Sequence, residues 1–156
     1  MKEIQGEPAK TNYKFAIVLS KFNEFIGTRL LNGALECFKK YSISEDNIDI
    51  IKIPGAFEIP VTADKLAHLK KYNSIIALGA VIKGETQHFE YISEAVSKGI
   101  LEVSLKYGIP VIFGVLTANN VDQALERSDS QKVNKGFDAA MAAMEMADVF
   151  SKLTNS

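Results

Sequence analysis

Apolar and polar positions along this chain follow two alternating rhythms. Phe15-Ala16-Ile17-Val18-Leu19 is an unbroken apolar run of the kind buried on both faces of a parallel sheet. After Ser20-Lys21-Phe22-Asn23, the residues Ile26, Leu30, Leu31, Ala34, Leu35 and Phe38 recur at the spacing of one helix face. The pair of rhythms then repeats. Ile48 to Ile53 predicts a second strand and Val61, Leu66 and Leu69 a second helix. Ser74 to Leu78 predicts a third strand climbing into Gly79. A polar turn Lys83-Gly84-Glu85-Thr86 follows, then a helix from about Gln87 to Tyr107 that carries Phe89, Ile92, Val96, Ile100 and Val103. Val111 to Leu116 predicts the fourth strand, followed by a short helix through Ala124 and Leu125. A final helix of about four turns is marked by Phe137, Ala140, Met141, Met144 and Ala147. Four such alternations predict an α/β domain: a parallel sheet with helices on both faces and right-handed crossovers.

In such folds ligands bind off the carboxyl ends of the strands. Here those ends read SKFN, PGAFEIP, GAVIKGETQH and FGVLTANN. The third is the richest, with a strand, a glycine turn and a helix start whose free N–H groups favour an anion. His88 falls in the first turn of that helix, and histidine is the side chain that ordinarily titrates near neutrality. It reads either as a structural cap-region residue or as an acid–base group. Pro54 ends the second ladder, Gly55 allows close backbone approach or a positive φ, and Pro60 suits a first helical turn. Phe22 is either a plug in the helix–sheet joint or a stacking face for a flat heterocycle. Arg127 and Lys135 bracket a polar loop, as solvated charges or as a grip on phosphate.

Composition narrows the choices. At 156 residues the chain reads as one domain, residues 1–156, large enough to bury a core. With 18 basic and 19 acidic residues spread along it, no basic patch offers itself to nucleic acid or a membrane. Small molecules and other protein chains remain as partners. The single Cys37 fits a reducing compartment, and no segment approaches the ~20 apolar residues of a spanning helix, so the expected location is cytoplasmic. Residues 1–12 form a polar arm that either frays or pairs with a sheet edge, fraying being the default at a terminus. There is no GxGxxG, P-loop, CxxC, HExxH or GxSxG motif, so redox, kinase, zinc and serine-hydrolase chemistry lack their parts. Two aromatics, a proton carrier, a helix-start anion site and two cations remain. They suit catalysis by positioning and proton transfer, without a covalent nucleophile or cofactor.

The blocks SKFN, PGAFEIP, GAVIKGETQHFEYI, FGVLT and NKG, in this order and at these spacings, resemble the lumazine synthase family of riboflavin biosynthesis. The resemblance covers nearly the whole chain. It implies a flavodoxin-like, three-layer fold with strand order 2-1-3-4. It also implies a transferase that condenses 5-amino-6-(D-ribitylamino)uracil with (2S)-2-hydroxy-3-oxobutyl phosphate, with no cofactor or metal. By matching position, Phe22 would stack on the pyrimidine, and Ala56, Phe57, Glu58, Ala80, Val81 and Ile82 would line the pyrimidine and ribityl site, partly through backbone groups. Phe113 would close that site. Glu85, Thr86, Arg127 and Lys135 would hold the phosphate, and His88 would shuttle protons. In the family Phe113 and Arg127 come from the adjacent subunit and the N-terminal arm adds a strand to a neighbour's sheet, so the resemblance implies a homo-oligomer.

Two features depart from the family pattern. Lys21 and Lys83 stand where arginine is usual, keeping the charge and losing the fork geometry. The loop from Arg127 to Asn134 lacks the usual glycines, while its length resembles members that build icosahedral capsids of twelve pentamers rather than single pentamers. Three rival readings stand beside this one: an enzyme acting on a related pterin or flavin precursor, a flavin- or lumazine-binding shell protein without catalysis, and a receiver-like signalling domain. The last should carry acidic residues where this chain has Ser20 and Lys21.

Overall fold

The computed structural model describes residues 1–8, 12–84 and 88–155. Four strands, β1 (Phe15–Ser20), β2 (Ile48–Ile53), β3 (Ser74–Ile82) and β4 (Val111–Ala118), form one parallel sheet in the order β2-β1-β3-β4. Every residue of β1 and β3 is buried, which explains why the two central strands read as continuous apolar runs. Among the described residues five α-helices cover the sheet: α1 (Glu24–Lys40), α2 (Ile59–His68), α3 (Phe89–Tyr107), α4 (Val121–Glu126) and α5 (Lys135–Thr154).

Side-chain alternation along the strands builds two cores. Phe15, Ile17, Leu19, Ile76 and Leu78 face α1 and α5, where they meet Leu30, Phe38, Ala140 and Met144. Ala16, Val18, Ile75 and Ala77 face α2 and α3, where Ile59, Ala63, Val96 and Ile100 cover them. Cys37 is buried in the first core, and burial pushes its thiol up to about 11. It is a packing residue and stays protonated.

Two expected boundaries move, and two glycines take different parts. β3 continues through Gly79 to Ile82, so Gly79 is an in-strand glycine. Its lack of a side chain serves close packing, since a Cβ there would lie 2.9 Å from Ser20 Cβ. The turn belongs to Gly84, whose φ of 89° is open to glycine at little cost. Gly55 is extended at φ −149°, so it takes no positive φ, and among the described residues the only atom near the place of a Cβ is Glu58 Oε1 at 3.3 Å. The last helix spans 20 residues, because Val149, Phe150 and Leu153 prolong it past the apolar stripe that announced it.

No strand forms in residues 1–8, and this part of the arm lies on α5 of its own chain. Gly6 is buried where a Cβ would strike the Glu145 backbone, and the Glu7 N–H donates to Asp148 Oδ2 at 2.8 Å. Tyr13 Oη donates to Asp148 Oδ1 at 2.8 Å, and Lys152 Nζ lies 3.0 Å from the same carboxylate. Burial pushes the Asp148 carboxyl up, but these three donors outweigh it and hold the group below its ordinary value.

Candidate functional site

The loop after β1 is fixed on both sides. The Lys21 N–H donates to Ile53 O at 2.8 Å and the Phe22 N–H to Pro54 O at 3.1 Å, extending the β1–β2 pairing past the strand ends. Asn23 takes a left-handed conformation at φ 59°, tolerable for asparagine, and its Nδ2 donates to Ala80 O on β3 at 3.0 Å. Between these anchors the Phe22 side chain is 50% exposed. It is therefore no plug in the helix–sheet joint. An aromatic held on a fixed backbone and left half in solvent has a face to offer.

At the end of β2, Ala56, Phe57 and Glu58 make a single 3-10 turn that leads into α2, with Pro60 in the helix's first turn. Ala56 is buried and Glu58 half-buried, while Phe57 is 65% exposed. The turn is bound locally. The Glu58 N–H donates to Gly55 O at 3.3 Å, and Thr62 Oγ1 donates to Glu58 O at 2.8 Å.

β3 overhangs its neighbour. Its pairing with β1 ends at Leu19↔Leu78, but its pairing with β4 runs on to Ile82↔Ala118. Ala80, Val81 and Ile82 thus extend beyond the end of β1 with buried side chains and, on that side, a backbone edge without a strand partner. The Asn23 amide occupies one of its carbonyls; the rest of the edge can serve a ligand through main-chain groups. Past Lys83 and Gly84 the chain reaches His88, the residue preceding α3. His88 is exposed, accepts the Ile92 N–H through its carbonyl at 2.9 Å, and lies 6.1 Å from the Tyr91 ring, centroid to centroid. Glu85 and Thr86 lie outside the described residues.

The cations sit at the far edge of the sheet. Arg127 closes α4, and its Nη1 donates to Thr117 O at the end of β4 at 3.4 Å. The loop it opens is narrow at its base. The Lys135 N–H donates to Arg127 O at 2.8 Å, and Ser128 and Asn134 form an antiparallel bridge inside them. Arg127 and Lys135, eight positions apart in the chain, are thereby made neighbours. The NKG block explains itself here. Asn134 Oδ1 accepts the N–H groups of Gly136 and Phe137 and so caps α5. Gly136 leaves room for the α1 backbone at Leu30, and Lys135 between them is turned outward.

One chain therefore gathers Phe22, Ala56, Phe57, Glu58, Ala80, Val81, Ile82 and His88 around the carboxyl ends of β1 to β3, with Arg127 and Lys135 beyond β4. It does not bring Phe113 there. Phe113 pairs with Ala77 in mid-sheet, four positions before the level of Val81 and Thr117, and is 45% exposed on the open edge of β4. A groove of about 990 Å³ lies elsewhere, between α1, the start of β2 and the 128–130 turn. Several supporting residues escape a sequence reading: the Asn23 bridge, the Asn134 cap and Arg29, which reaches from α1 into the loop. Asn23 and Asn134 stand inside the SKFN and NKG blocks, whereas Arg29 carries no local signal.

With this geometry in place, comparison with known proteins gives a consistent result. A family model described as 6,7-dimethyl-8-ribityllumazine synthase matches residues 12–151. Two curated relatives of that name, from two strains of Clostridium kluyveri, are each 52% identical over 153 residues, covering 98% of this chain and 99% of the relative. A match of this length and identity, over a sheet of order 2-1-3-4, means that the chain belongs to the 6,7-dimethyl-8-ribityllumazine synthase family.

Proposed function

We infer that the chain is a 6,7-dimethyl-8-ribityllumazine synthase. It condenses 5-amino-6-(D-ribitylamino)uracil with (2S)-2-hydroxy-3-oxobutyl phosphate to give the lumazine, inorganic phosphate and two waters. The observation that carries this is the 52% identity to named synthases across 98% of the chain. The residue roles follow from matching position. Phe22 stacks on the pyrimidine, while Ala56, Phe57 and Glu58 and the edge of Ala80, Val81 and Ile82 line the pyrimidine and ribityl site. Arg127 and Lys135, with Glu85 and Thr86, hold the phosphate. His88 moves protons.

The chemistry asks for what such residues supply. The 5-amine adds to the ketone and loses water to an imine, phosphate leaves by elimination, and the ribityl-bearing amine closes the ring with loss of the second water. Each step transfers protons near neutral pH, which an imidazole serves well. Phosphate is a good leaving group, so the cations have only to hold it and meet its growing charge. Holding two substrates in one cleft supplies up to ~7–11 kcal/mol of the barrier when their orientation is ideal.

The working particle is an oligomer whose sites lie between subunits, a pentamer or a capsid of twelve pentamers, located in the cytoplasm. What supports the shared site is the position of Phe113, exposed on a free strand edge and remote from the chain's own Phe22. An N-terminal arm that adds a strand to a neighbour would cover the opposite edge, β2. Among the described residues no helix is long and apolar enough to cross a membrane.

The test is to mix purified protein with both substrates and follow lumazine fluorescence against the uncatalysed background. A protein-dependent rate supports the assignment. A folded oligomer that binds lumazine and shows no rate above background would overturn it.

A further inference from the structure

We propose that Arg29 is a positioning residue for the phosphate grip: it sets where Arg127 and Lys135 stand without touching the substrate. The inference rests on the reading of those two cations as phosphate ligands.

Arg29, on the second turn of α1, holds both arms of the loop that joins them. On the outgoing side its Nε donates to Ser128 Oγ at 3.0 Å and its Nη2 to Leu125 O at 3.0 Å. Leu125 O belongs to the last turn of α4, where it also accepts the Ser128 N–H at 3.2 Å, so the Arg29 bond adds to a local closure of the helix end. On the returning side the Arg29 carbonyl accepts Asn134 Nδ2 at 3.2 Å. Ser128 and Asn134 are both buried, and each is the inner neighbour of a cation, Ser128 after Arg127 and Asn134 before Lys135. One residue of α1 therefore fixes the two buried residues next to half-buried Arg127 and exposed Lys135.

The remaining contacts of this corner point the same way. Ser128 Oγ accepts from Arg29 and has Ala124 O at 2.8 Å and Leu125 O at 3.3 Å as acceptors for its own proton, so the hydroxyl is held on both its donor and its acceptor side. Phe25 lies over the Arg29 guanidinium at 5.7 Å and shelters it. Among the described residues Arg29 makes no salt bridge, so its charge is free of any carboxylate while its fork is spent on the loop. Lysine keeps the charge but loses the rigid planar fork that meets these two acceptors from separate nitrogens.

The expected consequence is selective. Arg29→Met keeps the apolar stem and loses both side-chain bonds, so the loop shifts and the cations with it. KM for the phosphate substrate should rise about ten-fold, the scale of one misplaced charge-assisted hydrogen bond. KM for the pyrimidine substrate should hold within about two-fold. Competitive inhibition by inorganic phosphate should weaken by the same factor as the phosphate substrate, and Arg29→Lys should recover part of the loss. Ser128→Ala, which removes the other end of the bond, should give the same pattern, and the double variant should be no worse than Arg29→Met alone. Arg127→Ala is measured alongside. If it raises KM for the phosphate substrate while folded Arg29→Met and Ser128→Ala leave both KM values unchanged, the positioning role is overturned and the phosphate reading stands. If Arg127→Ala itself leaves that KM unchanged, the phosphate reading fails first. If Arg29→Met does not fold, Ser128→Ala and Arg29→Lys decide the matter by the same ratio of KM values.

Discussion

Gly136→Ala is the sharpest test of how the fold presents its cations. A Cβ built on Gly136 falls onto the Leu30 carbonyl of α1, 2.6 Å from its carbon and 2.9 Å from its Cα. All three obstructing atoms are backbone, so no side-chain rotation relieves the clash. Ordinary carbon–carbon contact begins near 3.5 Å and the carbonyl oxygen lies nearer still, so α1 and the first turn of α5 must separate by at least about 1 Å. Overpacking of this kind costs roughly 1–3 kcal/mol. The displacement also pulls Asn134 from its seat, weakening the bonds its Oδ1 accepts at 2.8 and 3.1 Å, and a lost N-cap costs about 1 kcal/mol. Against this, alanine is the better helix former by up to about 1 kcal/mol. The net expectation is a loss of roughly 1–3 kcal/mol.

For a chain of this size that corresponds to a melting point lower by roughly 2–12 °C. Thermal unfolding of wild type and variant must be compared at one protein concentration, because an oligomer's stability depends on it. Lys135 is the residue before the new methyl group, so KM for the phosphate substrate should rise together with the loss of stability. A variant that melts at or above the wild-type temperature with unchanged KM would refute the reasoning. It would mean that helix propensity wins and that the Gly136 contact with α1 holds neither the helix nor the loop.

Three further outcomes are expected. His88→Ala should lower kcat within the range of about 10²- to 10⁴-fold typical of a lost proton-transfer group while leaving a measurable rate, because positioning survives; complete loss in a folded oligomer would contradict that division of labour. Arg127→Ala should raise KM for the phosphate substrate roughly 10- to 100-fold, from a lost bond to a charged group of about 1.5–3 kcal/mol, and an unchanged KM in steady-state kinetics would remove it from the phosphate site. Asp148→Ala should cost roughly 3 kcal/mol at neutral pH, because it leaves the Glu7 N–H, Tyr13 and Lys152 without their acceptor. The folded Asp148 carboxyl lies below its unfolded value, so its contribution is present above the ordinary carboxylate range and fades as pH falls through the folded value. Urea unfolding of wild type and variant should therefore converge in acid, and a difference that persists there would refute the assignment.

The parts of this molecule that could be read from sequence are those written in local patterns. Continuous apolar runs at β1 and β3 and the helical stripes of α1 and α3 specify an α/β sheet because burial on one or two faces leaves a direct periodic trace. The carboxyl-end loops follow from the fold class. What escaped depends on contacts between distant segments. Gly79 looks like a turn residue and lies inside a strand, because Ser20 on the neighbouring strand needs its space. Phe22 could have gone either way, and was decided by bonds from its loop to Pro54 and Ala80. The bonds from Arg29 to Ser128 and from Asn134 to Arg29 span 99 and 105 positions, and the Glu7 contact with Asp148 spans 141. No periodicity encodes such pairs. The loop from Arg127 to Asn134 has no glycines, yet it closes through an Asx turn in which the Gln131 N–H donates to Asp129 Oδ1 at 2.7 Å, so its composition understated its order.

The register of β4 bears on the proposal that the site is shared between two chains. Phe113 lies four positions before Thr117, and at ~3.3 Å per residue that places it ~13 Å short of the strand end that Arg127 reaches. Phe22 lies past the end of β1, across the whole of β3 from that edge. Two rings that sandwich a flat heterocycle must lie ~7 Å apart, twice an ordinary stacking contact. The Phe22 and Phe113 of one chain cannot meet that condition without breaking the β3–β4 ladder. Each ring is nevertheless half-exposed on a backbone held by hydrogen bonds, so covering it with a second copy would take further apolar area out of water. A second copy whose β4 edge comes up to the first copy's strand ends satisfies both rings at once, and it brings Arg127 on that same edge toward the phosphate. Separated chains should therefore fold and yet turn over no substrate.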